Sequence, residues 1–168
     1  FLTFAFIQII HGLIIVNISA LIFTYLLAQG LTLAAAVAIG ALMGPAQVAA
    51  RLVELANKER HHPMWTLSIS VTMVTAGLVL LALDNGFAAL AIILFGIGNG
   101  LFSISRGSLP LALYGEERYP SIIGGLARPW LMAQSCAPIL GILLIIWMGP
   151  QTSLRCVAAF SVLNIFLI

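Results

Sequence analysis

Charge is what this chain has least of. Charged residues make up 7% of its 168 positions, against about 25% in an ordinary soluble domain. With 62% of the chain apolar, that scarcity excludes a water-soluble globular fold. The net charge of +2 is too small to suggest a nucleic-acid partner. Cysteine is also sparse: Cys136 and Cys156 each sit in an apolar stretch. They read as packing thiols, with no disulfide or metal framework. The first run has no basic leader and no small-residue cleavage site, and it is too long for a signal-peptide core, so it reads as a first span. No phosphate-cradling loop is present either, because GIGNG at 96–100 follows no strand and precedes no lysine. His61 and His62 with Glu54 and Glu59 lack a third ligand at suitable spacing, so the stretch reads as a solvated basic loop at a membrane face in preference to a metal site. No cofactor is expected.

What is there is hydrocarbon in blocks. Six apolar stretches alternate with short polar breaks, and about 20 residues suffice to cross some 30 Å of bilayer core. The pattern predicts an all-α integral membrane protein: a single six-helix domain over 1–168, with spans at about 1–27, 33–52, 65–83, 87–106, 121–147 and 154–168. The last run begins after Arg155 and has only thirteen residues, about 20 Å of helix. With a start at Phe1 and no Met, this predicts a fragment of a longer chain. Gly44-Pro45 interrupts the second span, whose small residues suit a position in the middle of the bundle. The third span carries little beyond Ser and Thr as polar groups and is predicted to face lipid. Asp84-Asn85-Gly86 is a turn signal, residues 107–120 form a longer connection, and Trp65, Trp130 and Trp147 suit membrane interfaces.

Polar residues inside such spans are expensive. A charge in hydrocarbon costs about 2.5–3.5 kcal/mol on insertion scales, so it normally faces a bundle interior or a water-filled path. On a helix Asn99, Ser103 and Arg106 share a stripe about 60° wide, and Gly124, Arg128 and Ser135 share another. Gln8, His11 and Ser19 share a face about 80° wide, with Asn17 opposite. His11 suits a coupling proton, because an unperturbed imidazole titrates near physiological pH; a neutral histidine bonded to a neighbouring helix is the other reading. Gln8 and Asn99 suit either a solute or helix-to-helix glue. Arg128 suits an anionic solute or a partner acid, or snorkels to lipid phosphates.

The basic residues set the orientation. With alternating spans, Arg51, Lys58, Arg60, Arg106 and Arg118 fall on one side and only Arg155 on the other, which makes the first side cytoplasmic and puts the start of the first span there. Spans two and five share glycines, a mid-span proline and an amide, Gln47 and Gln134. That echo predicts two three-helix units, the second inverted relative to the first, as in many secondary transporters.

Three runs carry a family likeness: GALMGPAQVAARLVE at 40–54, RGSLPLALYG at 106–115 and GGLARPWLMAQSCAP at 124–138. With them the whole chain resembles the carboxy-terminal half, helices seven to twelve, of a major facilitator superfamily transporter. The family's cytoplasmic signature places an Asp four residues after a Gly, then a basic residue and another Gly. Here the copy starts at Gly44 and has Val48, Ala49 and Arg51 at those positions, a degenerate form. The resemblance implies a second, amino-terminal six-helix half and a small-molecule solute moved across the lipid bilayer by alternating access. It also implies coupling to an ion or proton, and a cytoplasmic gate loop with Gly44, Arg51, Glu54 and Arg106. The expected address is a bacterial inner membrane. The expected substrate path is Gln8, His11, Asn99, Ser103 and Gln134, with Arg128 as an electrostatic element. No enzymatic activity is expected. The alternatives are an intramembrane enzyme, for which Ser103 or Ser105 would have to meet His11 in space, and a small oligomeric channel, for which no filter-like loop is present.

Overall fold

A computed structural model describes residues 2–57, 62–83 and 86–168. Phe1, the loop residues Lys58, Glu59, Arg60 and His61, and the Asp84-Asn85 part of the expected turn lie outside them. Among the described residues six helices follow in order: α1 Leu2–Ala28, α2 Leu33–Ala41, α3 Met43–Ala56, α4 Pro63–Ala82, α5 Ala88–Met148 and α6 Pro150–Phe166. Among the described residues there is no strand. Leu2–Ala28, Leu33–Ala56, Pro63–Ala82 and Ala88–Met148 are each long and apolar enough to cross a membrane. This all-helical build suits a multi-pass membrane protein.

Local chemistry sets the breaks. Thr32 starts α2 by accepting the Ala35 N–H at Oγ1, 3.3 Å away. His62 starts α4 by accepting the Met64 N–H at Nδ1, with Pro63 at the first helical position, where a missing N–H costs nothing. Between α2 and α3 the chain steps at Leu42, three residues before Pro45. A proline ring clashes with the carbonyl four residues back, so the helix restarts and Pro45 falls within its first turn. A straight helix of 61 residues would reach about 90 Å, three bilayer cores. Gly115 breaks it instead, at φ 73° and ψ 171°, a backbone state open essentially to glycine alone. Gly149 has nearly the same angles, φ 78° and ψ 163°, at the turn from α5 into α6. Residues 107–120, expected as a connection, are thus helical apart from Gly115.

The two arms of α5, 88–114 and 116–148, fold back on each other. Phe102 stacks near Trp130, and the Tyr119 hydroxyl lies 3.8 Å from where a Cβ on Gly107 would sit. The first arm is the shared wall of the bundle. A Cβ at Gly96 or Gly100 would strike the carbonyl oxygens of Met43 and Gln47 on α3, and one at Gly98 would meet the Ser70 carbonyl oxygen at 2.7 Å on α4. Glycines on opposite sides of one helix therefore let two neighbours approach to backbone contact. The contact registers make α3 parallel and α4 antiparallel to this arm. On the other side, α1 runs parallel to the second arm and antiparallel to α6: Gly12 lies beneath Trp130, Asn17 beside Ala137 and Gly141, and Tyr25 against Ser153.

Two expectations about placement are reversed. The second span, expected at about 33–52 and in the middle, forms α2 and α3, where only Ala36 and Ala50 are buried. The third span, expected to face lipid, is instead core: Leu67, Ser70, Val71, Val74, Thr75, Gly77 and Leu78 of α4 are all buried. Its hydroxyls are the reason. Ser70 Oγ donates to the Gly98 carbonyl at 2.7 Å and Thr75 Oγ1 to the Ser161 carbonyl at 3.1 Å, bonds that tie α4 to two neighbouring helices. The cysteines also differ from expectation. Both are free and exposed, so neither thiol packs the core.

Candidate functional site

Two polar clusters are buried along α1. The first, about midway and beyond, joins three helices: Tyr25 Oη donates to Asn17 Oδ1 at 3.0 Å and lies 3.3 Å from Ser153 Oγ. Asn17 Nδ2 points at the Ala137 carbonyl, 3.5 Å away. The second cluster, one to two turns earlier, has no such partners. Gln8 is 1% and His11 0% exposed, and neither amide atom of Gln8 nor either ring nitrogen of His11 makes a hydrogen bond. On α6, Asn164 Nδ2 reaches the Ile7 carbonyl at 3.5 Å while its Oδ1 is left unpaired. Each unpaired buried polar atom costs about 1–3 kcal/mol, so this end of α1 holds a concentrated penalty.

Aromatic rings close over the second cluster. The His11 and Phe102 rings stack with centroids 3.4 Å apart and planes 19° apart. Phe102 and Trp130 follow at 5.9 Å and 21°. The Arg106 guanidinium caps the row, its Cζ 4.6 Å from the centroid of the Trp130 ring, a cation–π contact. Phe102 and Arg106 stand one turn apart on the first arm of α5, so both face Trp130 on the second. Gly12, next to His11, supplies the seat, because a Cβ there would lie 3.0 Å from Trp130 ring carbons and 3.4 Å from Gln134 Cγ.

The fold therefore brings Gln8, His11, Gln134 and Arg106 to one region and spreads the other expected path residues. Asn99 is half-buried. Ser103 is exposed and donates to its own helix at the Gly100 carbonyl, 2.7 Å away. Arg128 is exposed, and Ser19, expected on the Gln8 face, is exposed as well. Of the expected gate residues, Gly44 and Arg51 lie exposed on α3. Glu54 Oε1 accepts from Thr66 Oγ1 at 2.5 Å, clipping α3 to α4. Neither ring nitrogen of His11 bonds a serine, and Ser105 Oγ donates to the Phe102 carbonyl. Among the described residues no three His, Cys, Asp or Glu side chains cluster as metal ligands.

Phe102 carries no distinguishing signal in its apolar run, and Trp130 by residue type alone suits an interface. Trp65 and Trp147 are 66% and 82% exposed, but Trp130 is only 6% exposed and completes the stack. Its position well inside the 121–147 run was the available signal. Comparison with known families finds no family model that matches this chain, and no curated protein matches its sequence.

Proposed function

We propose that this chain is one six-helix half of a secondary transporter of the major facilitator type, moving a small solute by alternating access. The observation that carries the proposal is the pair Gln8 and His11, buried at membrane depth with every side-chain polar atom unpartnered. Polar groups that only glue helices find partners on a neighbouring helix, as Tyr25 does at Ser153 and Asn17 at the Ala137 carbonyl. Groups left open are suited to a passing solute or proton.

The packing supports the inverted-repeat part of the reading. Exchanging the first three spans with the last three turns the pair α3 and first arm of α5 into the pair second arm and α1, and both pairs run parallel. It also turns the antiparallel pair of α4 and first arm into the antiparallel pair of α6 and α1. The two amides obey the same exchange: the Gln47 backbone lies against Gly100, and the Gln134 side chain lies against Gly12. With the basic residues marking the cytoplasmic side, the Gln8–His11 cluster lies in the cytoplasmic half of the bundle. A bacterial inner membrane is the address that goes with this reading.

The test uses the intact protein in lipid vesicles, with Cys136 and Cys156 replaced by serine and one cysteine introduced at position 8 or 99. A membrane-impermeant maleimide is applied from either side under opposite proton gradients. Gln8→Cys is expected to react from one side, with that side set by the gradient. A cysteine at both positions that reacts from neither face under either gradient would remove the path.

A further inference from the structure

We propose that Phe102, Trp130 and Arg106 form a lid over a binding site at Gln8 and His11. The group that site takes is uncharged and both donates and accepts hydrogen bonds, such as a primary amide or a hydroxyl. This deepens the transport reading and rests on it for the claim that a solute enters here.

The chemical class follows from the inventory of open atoms. Gln8 offers an amide N–H₂ and a carbonyl oxygen, and a neutral imidazole offers one N–H and one lone pair, so donors and acceptors are presented in equal kind. No formal charge accompanies them. The Arg106 guanidinium lies against the Trp130 ring at the far end of the stack, and no Asp, Glu, Lys or Arg side chain hydrogen-bonds Gln8 or His11. A carboxylate or ammonium group would arrive without a counter-charge in a low-dielectric interior, at a large desolvation cost. A neutral amide or hydroxyl would instead satisfy atoms that are otherwise open.

The lid follows from geometry. Gln8 and His11 have almost no exposed surface, so a solute reaches them only after something moves. Phe102 covers one face of the His11 ring at stacking distance, and Trp130 and Arg106 stand behind it. Phe102 and Trp130 are held by side-chain contacts alone, in an apolar cluster with Phe4, Ile7, Leu67 and Leu126, and Arg106 by its cation–π contact, whereas the glycine-packed parts of α5 are held backbone to backbone. Opening therefore means repacking side chains of this cluster by rotamer change, while the glycine contacts keep the helix backbone seated. Gly12 sets the closed position, because any side chain there displaces Trp130.

The test is acylation of histidine by diethylpyrocarbonate in vesicles containing the intact protein, read residue by residue by mass spectrometry. Exposed His62 is the internal standard for reagent and access. In the wild type, His11 is expected to react at least about ten-fold more slowly than His62, as a locally closed site does. Trp130→Ala and Phe102→Ala each raise the His11 rate relative to His62 about ten-fold, and Gly12→Ala raises it less. Trp130→Phe, which keeps a ring in place, retains the protection. In Trp130→Ala protein, acetamide slows His11 acylation, while acetate and tetramethylammonium at the same concentration do not.

The lid is overturned if His11 reacts as fast as His62 in the wild type, or stays equally protected when either ring is removed. The class is overturned if either ion protects as well as acetamide, or if acetamide gives no protection. Acylation needs no transport. A lid that passes this test in a protein whose positions 8 and 99 stay closed to maleimide would refute the transport reading alone.

Discussion

The two polar clusters of α1 lie in one helix, at similar burial, yet stand in opposite energetic states. Asn17, Tyr25 and Ser153 bond to one another across α1 and α6, and Asn17 also reaches α5. Gln8 and His11, a few turns away, bond to nothing. Burial of a polar residue in a membrane helix is therefore two different signals. A satisfied group fixes packing. An unsatisfied one is a stored penalty, tolerated where another partner relieves it for part of a working cycle.

The frame that holds both clusters is where the largest effect lies. Gly98→Val puts side-chain atoms into the Ser70 carbonyl and Val74 and is expected to cost about 3 kcal/mol. Loss of a monodisperse, heat-resistant species in detergent is the readout, and unchanged melting would mean that the α4–α5 contact is not a determinant. Next is the satisfied cluster. Asn17→Leu strips Tyr25 of one acceptor and crowds Gly141, for a loss of about 1.5 kcal/mol in thermal unfolding.

The unsatisfied cluster is expected to move the other way. Gln8→Leu with His11→Phe removes four open polar atoms and raises the melting temperature, by a gain of about 1 kcal/mol, while uptake or efflux by the intact protein is lost. A fall in melting temperature would show that these atoms are bonded in the membrane and would erase the contrast. The smallest effect sharpens it from outside: Arg128→Gln, on an exposed side chain, changes stability by less than about 0.5 kcal/mol and leaves transport unchanged. A large transport defect would return Arg128 to the path.

The helical membrane character was legible in the sequence because it depends on composition and segment length alone. Gln8 and His11 stand out in the sequence as polar residues in an apolar run, whereas their burial without partners does not follow from that run. Which helix lies inside was not legible. Small residues at 33–56 and hydroxyls at 63–82 are both compatible with a buried or a lipid-facing helix, and the choice falls to partners far away in the chain, such as Gly98 for Ser70 and Ser161 for Thr75. Composition likewise treats Asn17 and Gln8 alike. Only Tyr25 and Ser153, brought in by the fold, set them apart. The stack escaped for a similar reason: His11, Phe102 and Trp130 belong to three different stretches, and nothing in any one of them announces the others.

The glycine pattern at 96–100 bears on how such a protein can change over time. Gly96, Gly98 and Gly100 are each pinned by a neighbouring backbone, and a side chain at any of them would push a helix away. Only Ile97 and Asn99 are left to vary, and both are half-buried. Inheritable variation in this wall of the bundle is thereby channelled into two alternating positions. Substitutions at Ile97 and Asn99 can therefore accumulate while the scaffold around them stays still.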